Sequence, residues 1–266
     1  MRFRKIHGAG NDFVLLSDLG PDDDNEWPKE AVRLCARRTG VGADGLVISR
    51  LIQHSPAVLE VACFNADGSI ATMCGNALRC SAWAAHRDHG FQQMSLHMAG
   101  VAHEAVVSDD SVWVTADVGA VHPRRLQALI NGRPTWFDSA HTGTEHVVAI
   151  VDDVDAIDAV TVGRLVRHHA DLVPLGTNVN FVQSAGRQAL KIRTYERGVE
   201  AETLSCGSGA VAAVVVATMR GLVAGRAVTV HNLAGQPLTV RPHDAWPTRT
   251  HWVGGPVTNT FEGVLA

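Results

Sequence analysis

The chain runs through one order of motifs twice, and that repetition limits the fold more than any other property of the sequence. HGAGNDFVLLSD (7–18) pairs with HTGTEHVVAIVDD (141–153): a Gly-punctuated turn, polar residues, then a mostly apolar strand. GADGLVIS (42–49) pairs with GTNVNFVQ (176–183), again a Gly-led turn feeding an apolar strand. VACFNADGSIATMCGNALRC (61–80) pairs with IRTYERGVEAETLSCGSGAV (192–211), where a strand ends in an aromatic and a polar cluster and a thiol follows. Such matches in one order predict two copies of a mixed α+β unit, each with short strands broken by Gly, Asp and Asn turns and one or two helices. Ala-rich helices are expected over Ala77–His86 and Gly209–Met219, directly after the two thiols. A third is expected over about Lys29–Arg38, after Trp-Pro, and a fourth over 154–170, begun at an Asp-rich cap. The join is expected near Gly119, where SVWVTADVG ends and polar, linker-like sequence begins.

At 266 residues, with 46% apolar residues and a formal charge of -4, the chain can bury a sizeable core and has no basic excess to draw it to nucleic acid or anionic lipid. A small-molecule partner is the better expectation. No apolar run is long enough to span a membrane, and MRFRKIHGAG moves directly into strand and turn chemistry, so the cytoplasm is the expected compartment. Five cysteines, Cys35, Cys63, Cys74, Cys80 and Cys206, are an odd number in a chain too large to need staples, and they read as free thiols.

Cys74 and Cys206 are each followed by Gly, a small polar residue and a helix, which places a sulfur beside unpaired backbone N–H groups. That position favours a thiolate and can hold a carboxylate. A zinc site is disfavoured, because Cys74 and Cys80 are spaced CxxxxxC rather than as a CxxC knuckle. A Cys74–Cys206 disulfide would form only if their Cα atoms came within about 7 Å, and nothing marks it as the function. The remaining reading is a cleft with one thiol on each wall: a thiolate removes the α-proton of an amino acid from one face, and the opposed thiol delivers a proton to the other. Inversion is the natural product, with backbone donors stabilising the charge that builds on the carboxylate. Pyridoxal phosphate would need a lysine, and Lys5, Lys29 and Lys191 lie in no phosphate loop, so neither cofactor nor metal is expected.

Taken together, HGAGNDF, GADGL, FNADGS, MCGNALRC, NVNFVQ, YERGVEAET, SCGSGA and the closing GGPVTNTFEG resemble the diaminopimelate epimerase family over nearly the whole chain. The resemblance implies interconversion of LL- and meso-diaminopimelate without cofactor or metal, in lysine and cell-wall biosynthesis. It implies two pseudo-symmetric domains, each a β-barrel wrapped around a central helix. These fall on residues 1–118, completed by a strand at 258–266, and on 119–257. It also implies a homodimer as one possible assembly.

By the same resemblance, Cys74 and Cys206 are the catalytic thiols, and Gly75, Asn76, Gly207 and Ser208 are the backbone cradle for the reacting carboxylate. Asn11, Asn65, Asn178, Glu196 and Arg197 hold substrate amino and carboxylate groups, and His146 is a site histidine. Plainer readings stand beside these. Asn11 and Asn65 suit turns, Glu196 and Arg197 suit a solvated pair, His146 suits the core, and Cys35, Cys63 and Cys80 read as core.

The family commonly has Gly-Asn-Pro-His before the site histidine and Gly at position 77, whereas this chain has GTEH, with Thr144 and Glu145, and Ala77. A Glu there repels a distal carboxylate or attracts a cationic side chain. Two alternatives therefore stay open: a related racemase of another α-amino acid, such as histidine, and a module that binds an amino acid without turning it over.

Overall fold

The structure, a computed structural model, describes residues 1–17, 26–108, 111–172, 174, 176–244 and 249–265. Asp18, the last residue of the first repeated segment, and Ala266, the last of the expected closing strand, lie outside the described residues. The chain divides into two compact units: unit 1, Met1–Val114 with Gly255–Ala266, and unit 2, Thr115–Gly254.

Unit 1 contains β1 (Arg2–Gly8), β2 (Asn11–Leu16), α1 (Trp27–Cys35), β3 (Gly45–Gln53), β4 (Val58–Asn65), α2 (Gly75–His89), β5 (Gln93–Met98), β6 (Val101–Val107), the first half of β7 (Val112–Asp117) and, from the far end of the chain, β17 (Val257–Val264). Unit 2 contains β8 (Val121–Ile130), β9 (Arg133–His141), β10 (Glu145–Ile150), α3 (Ala159–Arg167), β11 (Asn178–Ser184), β12 (Ala189–Glu196), β13 (Ala201–Thr203), α4 (Gly207–Met219), β14 (Val228–His231), β15 (Leu238–Pro242) and β16 (Thr250–Gly255).

The pairing rules are the same in both units. In unit 1 the ladder β17-β1-β2-β3-β4-β5-β6-β7 is antiparallel except at β2·β3 and β4·β5. In unit 2 the ladder β8-β9-β10-β11-β12-β14-β15-β16 is antiparallel except at β10·β11 and β12·β14, with β13 folded onto β12. The repeat in the letters is therefore a repeat of topology, each unit an α+β barrel-like sheet.

The helices explain the layering. Residues Gly207–Ala217 of α4 are all buried, and the helix is apolar on every side, which is the composition of a helix enclosed by sheet. It touches β9, β10, β11, β12, β14 and β15. In unit 1, α2 touches β1 to β6 and β17. It ends at Gly90, a left-handed cap whose N–H donates to the His86 carbonyl, and it carries basic side chains in its last turn. The outer face of each sheet takes a second helix. Ala31, Leu34 and Cys35 of α1 pack with Phe3, Val14, Leu16, Leu46, Ile48 and Phe64. Val162 and Val166 of α3 pack with Phe137, Val147, Val179, Phe181 and Tyr195. Strands covered on both faces need nearly continuous apolar sequence, as FVLL in β2 and NFV in β11 supply.

Two expectations are corrected. The helix expected over 154–170 is α3, Ala159–Arg167, because Asp158 rather than the earlier Asp cluster accepts the Thr161 N–H as its N-cap. The polar stretch after Gly119 is no linker but β8, exposed over residues 122–125 and anchored by buried Leu126 and Ile130.

Candidate active site

In unit 1, Cys74 is the N-cap of α2 and its Sγ accepts the Ala77 N–H at 3.5 Å. An N-cap normally supplies an oxygen; a sulfur in that place is held with polar hydrogens aimed at it, an arrangement that favours negative charge. Buried in β4, Cys63 hydrogen-bonds the Cys74 side chain. That bond, followed by burial, pushes the Cys63 thiol far up, so it stays protonated and donates its S–H to Cys74. In the first turn Asn76 is buried; its Nδ2 donates to Asn11 Oδ1 at 3.1 Å, and Asn11 Nδ2 donates to Asp44 Oδ2 at 2.9 Å. Asp44 and Asp12 are held in turn by Arg37, and Asp12 also by Lys5. Asn65 does something simpler: its Nδ2 donates to Ser69 Oγ at 2.9 Å inside the turn that follows β4.

In unit 2, Cys206 is the N-cap of α4, with Sγ accepting the Gly209 N–H at 3.4 Å and lying 3.5 Å from Ser208 Oγ. A buried chain leads to this sulfur. Thr194 Oγ1 donates to Asn180 Oδ1 at 3.0 Å, which turns the Asn180 amide so that Nδ2 faces the Val147 carbonyl at 3.0 Å and His146 Nδ1 at 3.1 Å. With Nδ1 accepting, the imidazole proton sits on Nε2 and is donated to Ser208 Oγ at 3.0 Å. The Ser208 hydroxyl is then free to donate to Cys206. Burial, helped by the charges of Arg197 and His141, pushes His146 down to about 3, so it is neutral and the direction of the chain is fixed.

Beside this chain, Asn178 Nδ2 donates to the Glu145 carbonyl and its Oδ1 accepts the Arg197 N–H, both at 2.9 Å. The Arg197 guanidinium donates to Thr144 Oγ1 at 2.8 Å, and Glu196 accepts from Thr203 Oγ1 at 2.5 Å.

Within unit 1, hydrogen bonds therefore link Asn11 to Asn76 in the helix turn opened by Cys74 and continued by Gly75, while the Asn65 amide is tied to its own turn. Unit 2 gathers His146, Ser208 and Cys206 into one bonded chain, with Gly207 in the same helix turn, and Asn178 with Arg197 into another. His146 and Asn178 stand side by side in the β10·β11 register. Sequence reasoning missed Asn180 and Thr194, and it marked Thr144 as a departure without finding its bond to Arg197. For Asn180 a signal was available: two asparagines two apart on an apolar strand, NVN, point to one face. Among the described residues no group of His, Cys, Asp and Glu is placed to hold a metal ion.

The sequence profile described as diaminopimelate epimerase matches residues 3–122 and 139–248. The chain belongs to the diaminopimelate epimerase family. The diaminopimelate epimerase of Aquifex aeolicus is 34% identical over 276 residues, covering 100% of this chain and 98% of the relative. That of Chlorobaculum tepidum is 38% identical over 239 residues, covering 88% and 90%. Among solved structures, a hydroxyproline epimerase from Agrobacterium vitis superposes with a TM-score of 0.73 at 16% identity over 99% of this chain and 91% of that one. A phenazine biosynthesis protein of the PhzF family from Bacillus anthracis superposes with a TM-score of 0.76 at 11% identity, over 100% and 99%. At such identities the structures share the fold alone. Set against the family pattern, the GTEH departure is built into unit 2, since Thr144 anchors the Arg197 side chain and the Glu145 carbonyl anchors Asn178.

Proposed function

We propose that this protein is an isomerase that epimerises LL- and meso-diaminopimelate at the α-carbon without pyridoxal phosphate. The observation that carries the reading is the pair of N-cap thiols, Cys74 and Cys206, in a chain that matches the diaminopimelate epimerase family in both of its halves. In the proposed reaction one sulfur, as thiolate, takes the α-proton, and the other, as thiol, returns a proton to the opposite face. The carbanionic intermediate leaves extra charge on the α-carboxylate, and the first-turn N–H groups at Gly75, Asn76, Gly207 and Ser208 are the donors assigned to it. Asn11, Asn65, Asn178, Glu196 and Arg197 are assigned to the substrate's amino and carboxylate groups. His146 acts through Ser208 to orient the proton next to Cys206. A cytoplasmic enzyme of lysine and peptidoglycan synthesis, working as a homodimer, fits this reading.

Glu145 supports keeping a second substrate class in the test: its carboxylate is half exposed and lies 3.9 Å from His141 Nε2, in the segment that departs from the family pattern. Proton NMR in D2O follows loss of the α-proton signal with LL-diaminopimelate and, separately, with L-histidine and basic amino acids. Exchange with diaminopimelate, with interconversion of its LL and meso forms abolished by Cys74→Ser and by Cys206→Ser, is the expected result. Exchange only with another amino acid would move the enzyme to that substrate, and retained inversion of the α-carbon in either Ser variant would refute the two-thiol reaction.

A further inference from the structure

Arg79 breaks three rules at once. Its side chain has no exposed surface, yet among the described residues no carboxylate pairs with it. Only Nη2 finds an acceptor, Asn76 Oδ1 at 2.6 Å, while the buried Nε and Nη1 have none. It also sits in the wrong part of its helix. From the second turn of α2 it folds back to Asn76 in the first turn, where Nη2 lies so close to Gly8 that a Cβ there would stand 3.2 Å away. Side chains of a helix do lean toward its N-terminus, but a cation there opposes the helix dipole. Burying an unpaired charge costs several kcal/mol, and each unmet donor adds about 1–3 kcal/mol.

One kind of neighbour offsets all three costs: an anion at the start of α2. The nearby Asp12–Asp44 cluster does not provide it, because its two carboxylates are matched by Lys5 and Arg37. The acidic groups that act on the guanidinium are the thiols of Cys80 and Cys74. Cys80 is fully buried and burial pushes its thiol far up, so it stays neutral. Cys63, facing from β4, is also protonated and donates to Cys74. That leaves the Cys74 sulfur, the N-cap of the same helix, two residues from the Asn76 that Arg79 grips. Burial pulls Arg79 down only to about 10, so it remains a cation near neutral pH. Among the described residues unit 2 has nothing comparable: the residue five places after Cys206 is Val211, and Cys206 is served by the neutral His146–Ser208 chain.

We infer that Arg79 is a positioning residue whose buried guanidinium is the counter-charge of the Cys74 thiolate, holding that sulfur ready as a base before substrate arrives. The inference rests on the reading of Cys74 as a proton-transfer group, but it can be tested without turnover. Iodoacetamide alkylation of the Cys74 peptide, followed by mass spectrometry against pH in substrate-free protein, reports the thiol's titration. In the wild type the inflection is expected clearly below the ordinary value of about 8.5. In Arg79→Met it is expected to rise by about one unit or more, with alkylation at neutral pH slowed about tenfold. Arg79→Lys, which keeps the charge, is expected to retain a lowered inflection.

An ordinary inflection in the wild type, or an unchanged one in folded Arg79→Met, would overturn the inference. If Arg79→Met does not fold by circular dichroism, Arg79→Lys decides: a lowered inflection supports the inference and an ordinary one overturns it. Proton exchange run in parallel separates the two readings. A lowered, Arg79-dependent inflection without exchange on any amino acid would sink the epimerase reading and leave the Arg79 assignment standing. An ordinary inflection with exchange would do the reverse.

Discussion

Replacing Gly209 by Ala sets two effects of opposite sign against each other. In an ordinary helix the change is worth about 1 kcal/mol of stability, because Gly pays more backbone entropy than Ala. At Gly209 the new Cβ would stand 2.6 Å from Asn180 Oδ1 and 3.2 Å from both Cβ and Sγ of Cys206. Asn180 cannot swing away at little cost, since its amide is fully buried and bonded to Thr194, Val147 and His146. Displacing it leaves buried donors or acceptors unmet at about 1–3 kcal/mol each, so overlap wins and the net loss is about 2 kcal/mol. For a chain of this size that lowers the melting temperature by about 4–8 °C. Thermal unfolding followed by circular dichroism measures it, and exchange of the substrate α-proton should fall with it because the same Cβ crowds the Cys206 sulfur. Ala77 holds the corresponding place after Cys74 and already carries its Cβ, so Ala77→Gly is the control, expected to cost about 1–2 kcal/mol through propensity and the loss of one buried methyl. A Gly209→Ala protein that melts at or above the wild-type temperature would refute the packing argument.

Two pH dependences follow from buried ionisable groups. Burial works against the Asp12 carboxylate, but hydrogen bonds from Arg37 and Lys5 overcome it and hold the group at about 2, below its unfolded value of about 3.9. Its contribution of about 2 kcal/mol is therefore present above about pH 4 and lost as pH falls toward about 2, and urea midpoints of Asp12→Asn should lack that segment of acid dependence. His146 is a histidine held below its unfolded value of about 6.5, so neither state is charged above that pH. Below it the unfolded chain takes the proton first and stability falls by up to about 1.4 kcal/mol per pH unit toward about 3, a slope expected to be absent in His146→Gln.

The repeat was legible because each copy kept its turn chemistry and strand order, and the strand pairings follow it step for step. The N-cap thiols were legible too, since a Cys-Gly-small step before an Ala-rich run is a local signal. What stayed hidden is not local. The edge strand β8 reads as linker because Pro123 and Arg124 interrupt it, and there the ladder shifts between His122 and Leu126 with Arg124 in a left-handed conformation. The true start of α3 turned on which of several aspartates could reach a backbone N–H. Asn180, Thr194 and Arg79 gain their meaning from partners brought in by other strands or by a side chain folding back along its own helix. No spacing rule separates a buried unpaired Arg from a surface one in the letters RC.

The closing strand sets an order of assembly. β17 pairs along the whole of β1, from Arg2 opposite Val264 to Gly8 opposite Val257, and the terminal amino group donates to the Leu265 carbonyl at 3.3 Å. Unit 2 is one uninterrupted stretch, so every one of its strands is made before β17. Unit 1 takes β17 from the far side of unit 2 in the sequence, and β1, which packs on α2, lacks its outer partner until that strand is made. The unit that holds Cys74, though begun first, is completed only by a strand made after all those of unit 2.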